Sequence, residues 1–395
     1  MKILHTSDWH LGRTLKEYPL LEDQSFRLGQ LAGAVREQQV DAVVIAGDLY
    51  DRSVPPAQAV SCLDELLYSL TQELKVPVLA IAGNHDSPER LSFGSRLFSG
   101  AGLFVEGKTA REIRRVTLRD TFGEVNFYLL PYFTPEEVRP WFPDREIRTF
   151  DQAFQALLEQ NRPRIDSSRR NVLIAHGFYQ AVSPEKAMDD SIFSESEISI
   201  GQSDLMNLSP ASGLFDYIAL GHLHAPQTAG AEHIRYGGSL LKYSTSEARQ
   251  KKGFTLVELG EKGKVDVSLL EPPPKRDLRT IRGTLESLLA DNEPSEDYIM
   301  ATLTDEGAIL DAMPRLREKF PHILGIRFAA REQDISPESA SQAFQRVEQL
   351  GRLTPFQLFE RFYEQVRGEP LSEQRRELVQ GAVRAALEQE EELEK

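Results

Sequence analysis

Five short apolar runs, each followed at once by aspartate, asparagine or histidine, constrain this chain more than any other feature of its sequence. The runs are rich in β-branched residues and too short for helices, so they predict buried strands. Helical patterns at 21–38 and 56–74 separate the early runs, which favours an α/β fold. Loops after strands carry the functional side chains of such folds, so we expect a site there. The polar clusters are Ser7–His10, Gly47–Asp51, Gly83–Asp86, His176–Gly177 and Gly221–His224.

The clusters together supply residue types that bind metal ions. They hold five of the chain's eight histidines, and although one Asp-x-His pair is more often structural, five clusters at five strand ends indicate a shared site. Mixed carboxylate, amide and imidazole ligands suit Mn²⁺, Fe²⁺ or Zn²⁺, and so many candidates predict two ions that activate water for attack on phosphorus. The candidate ligands are Asp8, His10, Asp48, Asn84, His176, His222 and His224.

These motifs, in this order and spacing, resemble the complete motif set of the calcineurin-like metallophosphoesterases. The resemblance implies a two-layer β-sandwich flanked by helices, with two metal ions at one edge. It also implies that Asp48 bridges the ions and that His85 binds no metal but faces the scissile phosphate, as an electrostatic stabiliser or a general acid. One ion would take Asp8, His10 and His224, and the other Asn84, His176 and His222.

The strings Ser7–Gly12, Gly47–Arg52 and Ala219–His224 are closer still to the DNA nuclease subunits of that superfamily, which work with an SMC-type ATPase. This resemblance is carried by motifs over roughly the first 270 residues and rests on layout beyond them. It implies a Mn²⁺-dependent enzyme, with Mg²⁺ as the alternative metal, that has 3′→5′ exonuclease activity on duplex DNA and endonuclease activity on single strands and hairpins. It further implies a homodimer within a heterotetramer.

Three side chains near the motifs have two interpretations each. Asp51 stands where other nucleases of the group carry a histidine and where phosphoprotein phosphatases carry an aspartate that orients the catalytic histidine. By that second resemblance it hydrogen-bonds His85 and raises its basicity, and the alternative is that it caps the following loop. Arg90 and Lys242 are candidates for contacts with a phosphate backbone, although scattered cations are ordinarily surface residues.

Composition along the chain predicts three domains. Residues 1–271 form the metallophosphoesterase domain, which closes with a hairpin over 254–270, and Pro272–Pro274 makes a stiff connector. Residues 277–335 read as a small α+β capping domain that binds DNA, and 336–395 read as helices. A stripe of Phe356, Phe359 and Phe362 on one helical face either packs on the parent domain or docks the ATPase, and we favour docking.

The net charge of −15, from 46 basic and 61 acidic residues, argues against simple electrostatic binding to DNA unless metal ions or a partner supply positive charge. A stand-alone phosphoesterase acting on nucleotides or phosphoproteins would explain the charge but not the capping domain. A non-catalytic scaffold should have lost ligands, and none is missing. The single cysteine and the absence of an apolar leader or span predict a cytoplasmic protein away from membranes.

Overall fold

The computed structural model describes residues 1–180, 204–291, 293–305, 309 and 311–329, with the single positions 356, 375, 376, 379 and 381. The chain divides into two compact units. One unit comprises Met1–Thr302 and Ile309–Arg327, and the other comprises Leu303–Ala308 and Phe328–Lys395. The folded elements below belong to the first unit, apart from the terminal residues of two of its strands.

A six-stranded mixed sheet carries the first three polar clusters. Its strands lie in the order β16 (Val265–Leu270), β15 (Phe254–Leu259), β1 (Lys2–Thr6), β4 (Ala42–Ala46), β5 (Val78–Ile81) and β6 (Leu103–Glu106). Strands β1, β4, β5 and β6 are parallel, and the β15–β16 hairpin pairs antiparallel on the other side of β1. The register places Ile3 opposite both Ala42 and Val257. Because β1, β4 and β5 are parallel, the loops that follow them meet at one edge.

A second six-stranded sheet carries the remaining two clusters. Its order is β13 (Gln227–Thr228), β14 (Ile234–Tyr236), β12 (Tyr217–Gly221), β9 (Arg170–His176), β8 (Gly123–Leu130) and β7 (Arg114–Asp120). The four central strands are parallel, and an antiparallel strand closes each side. His176 pairs with Gly221, so these two clusters are neighbours in the register.

The two sheets pack face to face, with helices on both outer faces. In β4 the side chains of Ala42, Val44 and Ala46 lie between the sheets, while Val43 and Ile45 pack towards helices. This alternation follows from the two-residue period of a strand and explains why both faces are apolar. The longer helices are α1 (Leu21–Glu37) and α2 (Ala57–Tyr68) on the first sheet, and α6 (Phe150–Asn161) on the second. Short helices are α3 (Pro88–Ser92), α4 (Ser95–Phe98) and α5 (Pro135–Val138).

A small three-stranded sheet follows the proline connector. Strands β17 (Leu278–Gly283), β18 (Tyr298–Leu303) and β19 (Ile323–Phe328) lie in that order, with helices α7 (Leu285–Asp291) and α8 (Ala312–Lys319) between them in sequence. Buried Asp23 on α1 anchors this small sheet, because the Asp23 carboxylate accepts hydrogen bonds from Arg276 at 2.7 Å and from the Tyr298 hydroxyl at 2.9 Å. Two pairs of short strands complete the fold: β2 (Thr14–Leu15) with β3 (Tyr18–Pro19), and β10 (Tyr179–Gln180) with β11 (Met206–Asn207).

The structure confirms the α/β sandwich with flanking helices, the hairpin over 254–270 and the alternating elements of the small α+β module. The boundaries of the three domains stay a prediction. Of the aromatic stripe, Phe356 is helical and half-buried, whereas Phe359 and Phe362 lie outside the described residues. Among the residues described, the helices are too short or too polar to span a membrane.

Candidate metal centre

The seven candidate ligands meet at one edge of the sandwich: His176 is the last residue of β9, and the other six lie on the loops that follow β1, β4, β5 and β12. Main-chain hydrogen bonds join these loops, since Asp8 N–H donates to the Gly47 carbonyl and His10 N–H to the Asp48 carbonyl. The Asp8 carboxylate accepts the His222 N–H at 3.0 Å and so links the loops of the two sheets. Residues more than two hundred positions apart in sequence therefore share one site.

One cluster consists of Asp8, His10 and His224, each of which offers a ligand atom within 4.8 Å of the others. All three side chains are buried, and the Nε2 atoms of the two imidazoles face each other at 3.2 Å. Two ring nitrogens and a carboxylate oxygen that converge in this way match the ligand types of a divalent cation.

A second cluster consists of Asn84, His176 and His222. The Asn84 side-chain oxygen lies 3.0 Å from His176 Nε2 and 3.2 Å from His222 Nδ1. The Nδ1 atom of His176 lies 2.8 Å from the Ala46 carbonyl, to which it donates in the neutral tautomer, so its Nε2 lone pair faces the cluster.

Asp48 lies between the two clusters. Its Oδ2 atom is 3.6 Å from His10 Nε2 and 3.5 Å from His176 Nε2. Its Oδ1 atom accepts the main-chain N–H of His85 at 2.9 Å, which fixes the orientation of the carboxylate. One oxygen of Asp48 therefore reaches towards both groups of ligands.

The electrostatics of the site favour a bound cation. Burial, followed by the neighbouring Asp48, raises the pKa of Asp8 to about 8, and burial raises the pKa of Asp48 to about 6. Burial also lowers the pKa of His176 to about 3, so its ring is neutral and offers a lone pair. Burial makes the ionised forms of the two carboxylates unfavourable, and the imidazoles beside them are neutral. A cation with more than one positive charge would stabilise the ionised carboxylates and accept the imidazole lone pairs, so these side chains fit divalent metal ions.

His85 stands outside both clusters and is exposed. Its Nδ1 lies 2.9 Å from the main-chain carbonyl of Asp51, and its ring meets the His10 ring edge-on with centroids 4.8 Å apart. The Asp51 carboxylate instead accepts from Arg13 at 3.2 Å, so the two residues are joined through the main chain and not through the carboxylate. One atom from each of His10, Asp51 and His85 lies within 4.8 Å of the others.

The two candidate phosphate contacts differ in their surroundings. Arg90 is exposed on α3, just after the Gly83–Asp86 loop. The Lys242 ammonium group, in contrast, lies 2.8 Å from the Asp277 carboxylate and donates to the carbonyls of Ala248 and Leu278, which leaves 12% of the side chain exposed. Its charge is therefore used inside the protein, and we do not assign it to DNA.

Two side chains that hold the loops together were given no role from sequence. The buried Asp86 carboxylate accepts main-chain N–H groups from Gly83, Leu49 and Tyr50 at 2.9–3.1 Å, which ties two ligand loops to each other. Gln24 on α1 donates to the carbonyls of Trp9 and His10. Asp86 could have been found from its place in the Gly83–Asp86 motif, whereas Gln24 has no sequence signal.

Family models match two stretches of the chain. A family model described as calcineurin-like phosphoesterase matches residues 1–226, and one described as type 5 capsule protein repressor C-terminal domain matches residues 274–367. The chain belongs to the calcineurin-like phosphoesterase family.

Within that family, the chain resembles curated proteins named as the D subunit of the nuclease SbcCD. The protein from Staphylococcus epidermidis is 35% identical over 329 residues, which cover 82% of this chain and 85% of the relative. The protein from Staphylococcus saprophyticus is 31% identical over 394 residues, which cover 98% of this chain and 99% of the relative. A solved dimetal phosphatase from Danio rerio is 12% identical, with a TM-score of 0.40 over 69% of this chain and 98% of that one. The family and the named relatives support a nuclease-type hydrolase, and the ligand clusters indicate divalent metal ions.

Proposed function

We propose that this chain is the nuclease subunit of a DNA-end-processing complex and hydrolyses phosphodiester bonds with two divalent cations, of which Mn²⁺ is the first choice. Its activities would be 3′→5′ exonuclease on duplex DNA and endonuclease on single strands and hairpins. The observation that carries the proposal is the position of Asp48 between two complete clusters of ligands, with His85 beside them. The cytoplasm is the proposed location.

We propose a division of the ligands between two cations, and the distances within each set support it. Asp8, His10 and His224 would hold one cation, Asn84, His176 and His222 the other, and Asp48 would bridge them. Bound cations would supply the charge that activates water and offsets negative charge developing on the phosphate. The protein's part is to keep its imidazoles neutral and its carboxylates aimed, through the main-chain bonds that join the loops.

His85 would act on the substrate directly. Its Nδ1 lies against the Asp51 carbonyl, and in the tautomer that donates there the Nε2 atom is the position that can exchange a proton with a phosphate or a leaving oxygen. We propose that His85 protonates the leaving 3′-oxygen or stabilises charge on the phosphate in the transition state. Arg90 is exposed on α3, the helix that follows the loop of His85, and we propose that it contacts the DNA backbone. We also propose that residues 277–335 form a cap that binds DNA.

A nuclease assay tests the proposal. The purified chain is incubated with single-stranded, duplex and hairpin DNA in Mn²⁺, Mg²⁺ or EDTA, beside Asp48→Asn and the control Asp266→Asn, which makes the same change at an exposed position on β16. We expect cleavage with Mn²⁺, none in EDTA, and loss of both cleavage and a cation in Asp48→Asn alone. Hydrolysis of nucleotides or phosphoproteins without cleavage of DNA would instead identify a stand-alone phosphoesterase.

The proposed protein partner is an SbcC-like SMC-type ATPase that docks on the C-terminal helices through the Phe356, Phe359 and Phe362 stripe. Supporting this are the names of the relatives and the large apolar area of three phenylalanines, each worth roughly 1.5–3 kcal/mol when fully buried. Truncation after Arg352 should abolish co-purification with the ATPase and retain Mn²⁺-dependent cleavage of small phosphodiesters. If Phe359→Glu binds the ATPase as well as the parent chain does, the stripe is not the docking site.

An exposed apolar patch supports the proposed homodimer within a heterotetramer. Phe93 and Leu97 are each 82% exposed and Phe98 is 44% exposed, all within a dozen or so residues of His85. Large apolar side chains that are exposed to this degree and close in sequence are typical of an interaction surface, and a second copy can cover such a surface symmetrically. Light scattering should give a dimer for the parent chain and a monomer for Leu97→Glu, and a monomeric parent would contradict the assignment.

A further inference from the structure

A buried carboxylate lies directly behind one of the proposed metal ligands. Glu247 belongs to the short 3₁₀ helix Thr245–Arg249 and has no solvent-exposed surface. Its Oε1 atom is 3.1 Å from Nδ1 of His224, on the side of the ring opposite the nitrogen that faces His10. No motif drew attention to Glu247 in the sequence.

Lys252 supplies the charge that allows this carboxylate to stay ionised inside the protein. Its ammonium nitrogen is 2.6 Å from Glu247 Oε2 and also donates to the main-chain carbonyl of His224 at 2.7 Å. The Tyr243 N–H adds a further donor to Oε2 at 3.3 Å. Lys252 and Glu247 therefore hold both the ring and the main chain of His224.

The carboxylate determines which nitrogen of His224 carries the proton. An ionised Glu247 can only accept, so the Nδ1 atom carries the hydrogen and Nε2 keeps its lone pair towards His10 and Asp8. Two other imidazole ligands are held differently. The His176 Nδ1 atom meets the neutral Ala46 carbonyl, and the buried His10 Nδ1 atom lies 3.7 Å from the Asp51 carboxylate, beyond hydrogen-bond distance. Of these three imidazoles, His224 is the one with a carboxylate at hydrogen-bond distance behind the ring.

The segment that carries Glu247 is itself held by the small sheet. Lys242, paired with Asp277, donates to the Ala248 carbonyl, and Arg327 on β19 donates to the Thr245 hydroxyl at 3.1 Å. A positioning residue must sit on a rigid support if it is to fix a ligand. These contacts provide that support from outside the sandwich.

We propose that Glu247 is a positioning residue of the cation site formed by Asp8, His10 and His224: it fixes the His224 ring and its tautomer and strengthens Nε2 as a ligand. The inference rests on the proposed metal-dependent function and deepens it. Carboxylates behind metal-binding histidines affect metal affinity by about 10-fold to 100-fold in other proteins.

Titration of the full chain with Mn²⁺, followed by calorimetry, tests the role without relying on activity. The change Glu247→Gln keeps the size of the side chain and removes its charge, and Glu258→Gln makes the same change on an exposed strand position as the control. We expect one of two cations to bind about 10-fold to 100-fold more weakly in Glu247→Gln and both to bind normally in Glu258→Gln. Unchanged binding of both cations in Glu247→Gln would overturn the proposal.

A double-mutant cycle separates positioning from a general structural role. If Glu247 acts through His224, Glu247→Gln should weaken Mn²⁺ binding in the parent chain and have little further effect in a His224→Ala background. Equal effects in both backgrounds would overturn the proposal. If Glu247→Gln does not fold by circular dichroism, Glu247→Asp replaces it, and that variant must then weaken the same cation selectively. A parent chain that binds two cations but cleaves no DNA would refute the proposed function and leave this inference standing.

Discussion

The change His85→Ala separates binding of the cations from the chemistry on the substrate. His85 is exposed, and within the described part of the chain its side chain makes one hydrogen bond, to the Asp51 carbonyl, so its removal should cost at most about 1 kcal/mol of stability. The bond that fixes Asp48 comes from the main-chain N–H of residue 85, which alanine retains. The metal centre should therefore survive the substitution.

The rate of DNA cleavage, in contrast, should fall in His85→Ala. A positioned general acid contributes about 10²-fold to 10⁴-fold, which corresponds to roughly 2.7–5.4 kcal/mol of activation free energy. We expect cleavage under single-turnover conditions with saturating Mn²⁺ to fall by at least about 10²-fold, while Mn²⁺ affinity measured by calorimetry stays within about 2-fold. His233→Ala, in the loop before β14, is the matched control and should change neither quantity.

Two results would refute this reasoning. If His85→Ala loses a cation, His85 is itself a metal ligand. Its position would agree with that result, because one of its ring nitrogens lies within 4.8 Å of possible ligand atoms on His10 and Asp51. If the variant keeps both its cations and its rate, His85 does not act on the substrate. Partial recovery of the rate of His85→Ala by added imidazole would identify the missing group as a proton donor.

Three further predictions concern the metal centre and the frame around it. Because burial and Asp48 raise the pKa of Asp8 to about 8, a cation must displace a proton at pH 7, so Mn²⁺ affinity should rise between pH 6 and pH 8, and a flat profile by calorimetry would contradict this. Asp120→Asn leaves Arg170, 4% exposed, without its carboxylate and should cost about 3 kcal/mol in urea unfolding. Arg170 holds the pKa of Asp120 well below its ordinary value, so this difference should be complete above about pH 4 and shrink at lower pH. Gly221→Ala would place a Cβ atom 1.8 Å from the Ala46 carbonyl oxygen, so we expect little folded protein by circular dichroism, and normal thermal unfolding would contradict the packing.

The convergence of the candidate ligands could be predicted because each one follows or ends a strand that has its own sequence signal. Buried parallel strands are visible as short apolar runs, and their loops must meet at one edge once the strands are parallel. Asp8, Asp48 and His176 therefore converge in the structure. Asp8 and Asp48 follow β1 and β4 as expected, and His176, which was expected just after its strand, is the last residue of β9. The elements of the small sheet were visible for the same reason.

The supporting side chains could not be predicted in this way. Glu247 and Gln24 hold partners that are distant in sequence or lie on the main chain, and main-chain acceptors leave no pattern in a sequence. Residue type also could not show which basic side chain is available to DNA. Lys242 and Arg90 are both candidates from sequence, but the structure places Asp277 beside Lys242 and leaves Arg90 exposed to solvent. The region of β7, β8 and α6 holds no functional cluster, and its elements were not predicted.

Backbone conformation gives a physical reason why this edge of the fold is specialised for binding rather than stability. Asp8, His10 and Asp48 have φ of 51°, 45° and 52°, and His222 has φ of 112°, in a region that L-residues rarely adopt. Each such residue costs about 1 kcal/mol or more, and glycine would remove that cost. Glycine would also remove the ligand, so a chain selected for stability alone would not keep aspartate and histidine there. Hydrogen bonds from Asp86, from Gln24 and between the paired loops hold these residues in their strained conformations. Because of this support, the four strained residues can direct their ligand atoms to a common point.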